Sequence, residues 1–310
     1  MISGFMIVKD VLKQGYPFVE AVASSLPICD EFLISDGYST DGTFEVVQKI
    51  ANLNKKVKVF RQEWPREKRY SVLADVTNWI RTKCSYDHIF YIQANEIVHE
   101  ESVKFLKALP EICPEVETFS LPFVHLMGNY KFSEQFRLRF SRNLLSIIAV
   151  GDAWSLGNSK DFVRSEALNS LKNPRKLFQF IGRGVQWTYA NTCGNPISRA
   201  FYLPRPIFRY WSMFPRNFLE KCLNHREMFD LTGFTQTITE LQDHVDDDPS
   251  SFWKLAVEFF RKGPLSFKYP EGLGEITLRD HPKIMQALIS DTSSKSYYVR
   301  DDVLDLVKGL

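Results

Sequence analysis

The first hundred residues alternate between two hydrophobic periods, and that alternation leaves few folds open. "SGFMIV", "EFLIS", "KVKVF" and "HIFYI" are short apolar runs of strand length. Between them lie segments with apolar residues at helical spacing: "YPFVEAVASSL" with Phe18, Val22 and Leu26, "GTFEVVQKIA" with Phe44, Val47, Ile50 and Ala51, and "SVLADVTNWIRTK". Asp41 and Thr43 are candidate caps of the second of these helices. Strands that alternate with helices in this way predict a parallel sheet covered on both faces. Crossovers of this kind are right-handed, and ligands then sit beyond the carboxyl ends of the strands.

The middle of the chain changes character. "ETFSLPFVHLMG", "FRLRFSR" and "LSIIAV" read as longer strands with no helices between them, so a mixed sheet or a β-ribbon follows the fourth strand. From about residue 215 the pattern is helical. Asn217 with Glu220 reads as a capping box after Pro215, and Phe218, Cys222 and Phe229, with Leu219 and Leu223, form the apolar stripe. A last helical stretch, "SFWKLAVEFFRKG", precedes a loop-rich end. The expected division is a domain over 1–215, in halves 1–110 and 111–215, followed by a helical C-terminal extension over 216–310.

Bulk properties narrow the partners. A chain of 310 residues with 44% hydrophobic composition supports one large domain, with or without an appendage. A formal net charge of +2 gives no footprint for nucleic acid. The five cysteines are scattered, odd in number and form no CxxC pair, which argues against a disulfide framework or a structural zinc site and fits a reducing compartment. "MISGFMIVKD" lacks the basic start and long apolar core of a signal peptide, and no apolar run approaches the ~20 residues of a membrane span. The expectation is a cytoplasmic protein with no transmembrane segment; peripheral membrane contact stays open.

The strand end "LISDGYSTDGT" is the most specific local signal. It places Asp36 at the tip of the second strand, followed by a turn and by Asp-Gly-Thr opening a helix. Together with "FMIVKD" and "IQANE", this stretch resembles the family 2 glycosyltransferases of the GT-A fold. A bacterial and archaeal subgroup pairs an Ile-Val-(Lys/Arg)-Asn opening with a Gln-Ala-Asp-Glu metal tip and a later His-Tyr-Gly-Trp-like segment. The corresponding places here are Ile7-Val8-Lys9-Asp10, Gln93-Ala94-Asn95-Glu96 and Arg209-Tyr210-Trp211-Ser212. The resemblance is strong over 1–110, looser over 120–230 and faint beyond. It implies a Rossmann-like α/β domain with a mixed, mostly parallel sheet flanked by helices. It also implies a nucleotide-diphosphate sugar as co-substrate, a glycan, lipid-linked or protein acceptor, inverting transfer, and Mg²⁺ or Mn²⁺ at the carboxylate tip.

Carried onto this chain, the resemblance puts the donor's base on Asp36, since a carboxylate is an acceptor-only group that meets an imide N–H. The family's next Asp is Gly37 here and the following Gly is Tyr38. Asp36 beside Gly37 is also an ordinary turn-former, and Asp41 is explained by capping alone. Lys9 and Asp10 lie where base or ribose would pass, or form a solvated loop pair. Arg66 and Arg69 precede the helix that leads toward the phosphates, and Gln93 and Asn95 complete the donor side. Hard cations prefer anionic oxygen ligands, and Asn95 offers only a neutral one. Glu96 is adjacent, but its side chain leaves the strand in a different direction. The family's later His is Arg209, which cannot ligate a cation. The two changes together suggest a diphosphate met by a guanidinium rather than by a metal, with Asn95 and Glu96 a weakened or lost metal site.

An inverting transferase needs a base for the acceptor hydroxyl. Asp152 is the first candidate, since Gly151-Asp152-Ala153 matches two of three positions of the subgroup's Arg-Asp-Ala segment; Glu134 and Glu166 are alternatives, and a plain turn Asp is equally open. Arg139 and Arg142 alternate with Leu138 and Phe140, which suggests one polar strand face toward the ligand. His125 reads as a core histidine, and Trp154, Trp187 and Trp211 as sugar platforms or core. Two rival functions remain: an inactive GT-A protein that binds nucleotide or glycan, and a nucleotidyltransferase. The second is disfavoured because no Gly-rich, Lys/Arg-bearing loop follows the first strand.

Overall fold

The computed structural model describes residues 1–65, 72–128, 130–153, 155–158, 198–229, 239–245, 249–262, 274–291 and 294–310. The four apolar runs become β1 (Ile2–Val8), β2 (Glu31–Asp36), β3 (Val57–Arg61) and β4 (His88–Tyr91), all parallel. Parallel neighbours need crossovers rather than tight turns, and α1 (Phe18–Ser25), α2 (Thr43–Leu53) and α3 (Val72–Arg81) supply them. Every residue of β2 is buried, as expected of a strand covered on both faces.

The second half adds β5 (Glu96–Val98), α4 (Glu100–Ile112), and a long hairpin of β6 (Thr118–Met127) with β7 (Tyr130–Arg142). β8 (Ile147–Ala149) and β9 (Leu156–Asn158) pair as a separate ribbon. β10 (Ser198–Ala200), β11 (Ile207–Ser212) and β12 (Gly274–Glu275) complete the main sheet. Its order is β3-β2-β1-β4-β7-β6-β11-β5, with β10 beside β6 and β12 beside β7. Apart from β5 and β7 its strands run one way. This is the mixed, mostly parallel α/β sheet that the resemblance implies.

Alternation along the strands divides the core in two. Met6, Val8, Phe32, Ile34 and Phe90 pack toward α1 and α2, whereas Phe5, Leu33, Ile89 and Tyr91 pack toward α3 and the β8–β9 ribbon. The C-terminal residues return to the first core. Met285, Leu288, Tyr297, Val303, Leu304 and Val307 all belong to it. The helices Lys283–Ser290 and Asp301–Gly309 lie on α1, and Asn54 Nδ2 donates to the carbonyl of Val307 at 2.8 Å. A smaller core forms under the helices Pro215–Phe229 and Pro249–Lys262, around Phe218, Cys222, Phe252 and Trp253.

Three local expectations change. "LSIIAV" contributes only Ile147–Ala149 as strand, and it pairs outside the main sheet. The polar tip at 93–96 runs into β5, which begins at Glu96 and is too short to show a period of its own. The capping box at Asn217 does not form, because Pro215, with its preset φ and absent N–H, already opens the helix. Asn217 is instead a tertiary hub: its Nδ2 donates to the carbonyl of Lys13 (3.0 Å) and its Oδ1 accepts from the amide of Tyr297 (3.1 Å). Glu220 reaches Lys13 at 3.2 Å. Cys29, Cys84, Cys113 and Cys222 are free thiols, while Cys193 lies outside the described residues. Among the described residues no helix is long and apolar enough to cross a membrane.

The C-terminal return buries one carboxylate. Glu20 of α1 is fully covered and its Oε2 accepts from the hydroxyl of Tyr297 at 2.9 Å. Burial pushes its carboxyl up to about 7, against the pull of its own backbone amide, Tyr297 and Arg300, and with the help of Asp302. A raised carboxyl pKa means that stability is greatest below the unfolded value and falls as pH rises through the folded one. Glu20→Gln should therefore raise Tm at pH 8, by an amount corresponding to about 3 kcal/mol at most. The gain should shrink to nothing near pH 4. A Tm difference that does not vary with pH would show that Glu20 is not the titrating group.

Candidate active site

The sheet order fixes where a ligand can sit. β1 lies between β2 and β4, so the chain leaves β1 toward one side and enters β4 on the other. Loops at such a switch point diverge and open a crevice at the carboxyl ends of the strands. Those ends carry Lys9 and Asp10 after β1, Asp36 at the end of β2 and Gln93 to Glu96 after β4. β7 runs antiparallel to β4, with Phe140 beside Phe90, which brings Arg139 and Arg137 to the same end. β11 sets Arg209 opposite Glu96 on one side and His125 on the other.

On the β1–β2 side the polar groups are bonded among themselves. Asp36 is buried, and its Oδ2 accepts from the amide of Tyr38 (3.0 Å) and from Arg61 Nε (3.1 Å). The amide of Ser39 donates to its Oδ1 at 3.2 Å. Asp36 thus forms the turn that its neighbour Gly37 suggested. The groups presented outward are Tyr38, 51% exposed at a strained φ of +58°, and Arg61. The Arg61 guanidinium is stacked between the rings of Tyr38 (4.1 Å) and Phe44 (3.8 Å). Asp10 adopts φ +49°, a conformation Asp tolerates, and its Oδ1 accepts from the amide of Thr40 at 2.7 Å. Lys9 Nζ lies 5.5 Å over the ring of Trp64, which packs so closely on Gly37 that a Cβ there would meet its Nε1 at 2.6 Å. Asp41 accepts from the amides of Lys13 (2.8 Å) and Thr43 (3.0 Å), while Gly42 is the residue before the helix. Arg61, Tyr38 and Trp64 were not legible as a set, because two of them come from strand ends whose pairing the sequence does not state.

On the β4 side a buried ion pair organises the site. Glu96 Oε1 accepts from Arg139 Nη2 at 2.7 Å, and Oε2 accepts from Arg139 Nε at 3.0 Å and from the amide of Gln93 at 2.9 Å. Both side chains are 0% exposed. The Arg139 guanidinium also faces the rings of Tyr91 (4.8 Å) and Phe123 (5.3 Å). Burial alone would raise the Glu96 carboxyl, but the charges of Arg139 and Arg209 and the hydrogen bonds outweigh it and hold it below its ordinary value. A bulge aims Arg139: Ser120 faces Leu138 and Phe119 faces Phe140, so Arg139 is the extra residue in β7. Arg142 does not share its face. They are three positions apart, strand side chains repeat every two, and Arg142 is turned outward to Glu117 at 3.9 Å.

Asn95 is equally committed. Its Nδ2 donates to the carbonyl of Tyr210 at 3.0 Å and its own carbonyl accepts from the amide of Tyr210 at 2.9 Å, so it acts as one more rung between the tip and β11. Gln93 Nε2 donates to the carbonyl of Ala153 (3.0 Å) and to the hydroxyl of Tyr91 (3.1 Å). That bond ties the tip to the turn holding Asp152, where Gly151 (φ +60°) and Ala153 (φ +55°) are both left-handed. The charge of Asp152 acts on Arg137, Arg139 and Arg209 together.

Two further cations belong here. Arg137, bonded to Gln135, is brought down to about 10 by burial and by the charges of Arg139 and Arg209. Lys221 is 1% exposed, donates to the carbonyl of Trp211, and sits over the rings of Trp211 (4.0 Å) and Tyr16 (4.8 Å). Burial, then Arg209, hold its ammonium well below the ordinary lysine value. Lys221 falls three residues after Phe218 on the apolar stripe, the one signal by which the sequence could have shown it. Burial also lowers Arg209, and it brings His125 down to about 2, assisted by Arg209, so the imidazole is neutral.

The geometry therefore gathers Gln93, Asn95, Glu96, Asp152 and Arg209. Glu134 is exposed and bonded to Lys131 at 2.9 Å, and Trp211 packs on Phe218. Arg66, Arg69, Trp154, Glu166 and Trp187 lie outside the described residues. The donors at the tip do not suit Mg²⁺ or Mn²⁺: the Glu96 carboxylate is held bidentate by a guanidinium, and Asn95 turns its amide nitrogen to a carbonyl. Among the described residues no three His, Cys, Asp or Glu side chains converge as a metal site would require. Asn95→Asp should then cost about 1–3 kcal/mol in denaturant unfolding, because it removes a donor and sets a carboxylate against the Tyr210 carbonyl. Unchanged stability, or a gain on adding Mn²⁺, would contradict this arrangement.

No family model matches the chain, and no curated protein matches it. Solved structures do. The mannosyltransferase PcManGT from Pyrobaculum calidifontis, in complex with GDP-Man and Mn²⁺, matches at 16% identity and a TM-score of 0.31, over 39% of this chain and 34% of the neighbour. S. aureus TarS 1-349 matches at 13% identity and a TM-score of 0.38, over 84% of this chain and 70% of the neighbour. The same TarS fragment in complex with UDP-GlcNAc matches at 11% identity and a TM-score of 0.37, over 99% and 89%. The chain thus spans about a third of the mannosyltransferase it matches.

Proposed function

We propose that the chain is an inverting glycosyltransferase of the family 2 type. It would move a sugar from a nucleotide-diphosphate donor to a hydroxyl of a glycan, lipid-linked or protein acceptor. The observation that supports this reading is one carboxylate, Asp152, in the turn that the bond from Gln93 Nε2 to the Ala153 carbonyl ties to the tip after β4, where its charge is felt by Arg137, Arg139 and Arg209. Such a transfer needs a base and a stabilised anion side by side. Asp152 takes the acceptor's hydroxyl proton as the acceptor oxygen bonds the anomeric carbon from the face opposite the leaving group. The anomeric C–O bond to the diphosphate breaks, and its electron pair leaves with the nucleoside diphosphate. Arg209 meets the charge that develops there. Tyr38 and Arg61 supply a stacking surface for the base, beside Lys9 and Asp10, and Asp36 acts by shaping that loop.

A non-catalytic binder of nucleotide or glycan is the second reading. Release of free sugar from candidate nucleotide sugars separates the two, since only the enzyme turns the donor over. Asp152→Asn should lower turnover by about 10²–10⁴-fold with donor affinity nearly unchanged. An Asn variant as active as wild type would remove Asp152 from the chemistry and, with Glu134 bonded to Lys131, turn attention to Glu166.

A further inference from the structure

The end of β3 carries a cation that is fixed in place with one edge left open. Arg61 Nε donates to the buried Oδ2 of Asp36 at 3.1 Å, and the guanidinium lies between the rings of Tyr38 (4.1 Å) and Phe44 (3.8 Å). Its side chain is nevertheless 34% exposed, and among the described residues its Nη1 and Nη2 have no partner. With both faces covered and Nε bonded, what meets solvent is the edge that bears those two nitrogens. A guanidinium held in this way is oriented before any ligand arrives, and it offers donors only.

Asp36 is not available to a ligand. It is fully buried, and it accepts from the amides of Tyr38 and Ser39 as well as from Arg61. Tyr38 is the opposite case. It is half exposed at φ +58°, a conformation that glycine adopts freely and tyrosine does not. Strain of this kind collects at ligand clamps. The ring covers one face of Arg61 and leaves a flat aromatic surface beside the open edge.

Position identifies what would meet that edge. β3 is the outermost of the four parallel strands, and β2 and β1 lie between it and β4. Three strand spacings amount to about 14 Å. A nucleotide sugar with its anomeric carbon at the tip after β4 would place its far end, the base, at β3, and its phosphates short of it. Bases differ in what they offer a donor-only group. Guanine presents O6 beside N7 and uracil presents O4, whereas adenine and cytosine carry an amine at the corresponding place.

We propose that the open edge of Arg61 reads the keto oxygen of the donor's base, O6 of guanine or O4 of uracil, with Tyr38 stacked on the ring, and that the chain thereby refuses adenine and cytosine. This deepens the nucleotide-sugar reading and rests on it. Asp36 is a positioning residue that holds Nε and does not touch the base.

The test is calorimetric titration of the wild-type chain with GDP, UDP, ADP and CDP, with Mn²⁺ present throughout. GDP or UDP should bind at least about tenfold more tightly than both ADP and CDP, and the tighter of the two names the base. Arg61→Lys keeps a charge for Asp36 but loses the planar fork, and it should cut that preference to about threefold or less by weakening the keto nucleotide. Tyr38→Gly suits the local φ and removes only the ring, so the turn is kept; it should weaken the same nucleotide at least about fivefold. ADP or CDP bound by the wild type as tightly as GDP and UDP, a preference unchanged in Arg61→Lys, or full affinity in Tyr38→Gly would overturn the base-reading edge and leave the nucleotide-sugar reading standing. No binding of any of the four would overturn that reading and this inference with it.

Discussion

The buried pair of Glu96 and Arg139 is the interaction around which the rest of the site is arranged. The two residues belong to β5 and β7, which are separated in the sheet by β6 and β11. Joining them therefore spans the strands between, and it holds three things at once: the turn at Gln93, the first residue of β5 and the bulge in β7. A buried ion pair repays its desolvation only with close geometry and with its remaining polar sites filled. Here the contact is bidentate, a backbone amide takes a further acceptor site, and two aromatic rings face the guanidinium. Removing either partner would leave a charge in a place water does not reach, so the pair and the local fold stand or fall together.

The sheet explains why that place is at the carboxyl ends of the parallel strands. The crossovers lay β2 and β3 to one side of β1 and β4 to the other. Only beyond β4 does the sheet turn antiparallel, and the antiparallel strand β7 is what carries Arg137 and Arg139 back to the ends where β1, β2 and β4 stop. A wholly parallel continuation would have sent those side chains' loop to the same end without their strand. The change from parallel to antiparallel is thus the topological source of the cation cluster. The return of the C-terminal residues closes the opposite side of α1, and through Asn217 it connects the loop after β1 with the helix that bears Lys221.

Much of this was legible in the sequence where the signal is local. The four strand-length runs, the three intervening helices and the position of Asp36 at a strand end follow from period and from turn chemistry, which depend on neighbours in the chain. What failed depended on register. Arg139 and Arg142 look equivalent in "FRLRFSR", and only the bulge and the pleat send one to Glu96 and the other to Glu117. Asn217 looks like a cap until Pro215 is seen to open the helix one turn earlier than the box requires. β5 has three residues and no period to read. Lys221 sits on an apolar stripe, where a lysine ordinarily turns outward; it is kept inside by the carbonyl of Trp211 and two aromatic faces.

The tip "QANE" shows why the fitness of a carboxylate for a metal cannot be judged from its neighbours in the chain. Whether a carboxylate binds a hard cation depends on what else reaches its oxygens. The group that does so here is 43 positions further along the chain. Asn95 makes the same point from the other side. As a ligand it would be a poor substitute for Asp, offering a neutral oxygen where an anion is wanted. As a rung of the sheet it is the better residue, because an amide can donate to the Tyr210 carbonyl and a carboxylate cannot. Arg209 follows from the same pairing, since β11 sets it directly opposite Glu96, where the charge of Arg139 acts on it. A histidine there could turn its ring toward a metal; an arginine adds a permanent charge beside one already neutralised. Residues 95 and 209 are therefore connected through one strand pair, and the chemistry of the tip is set by them together rather than residue by residue.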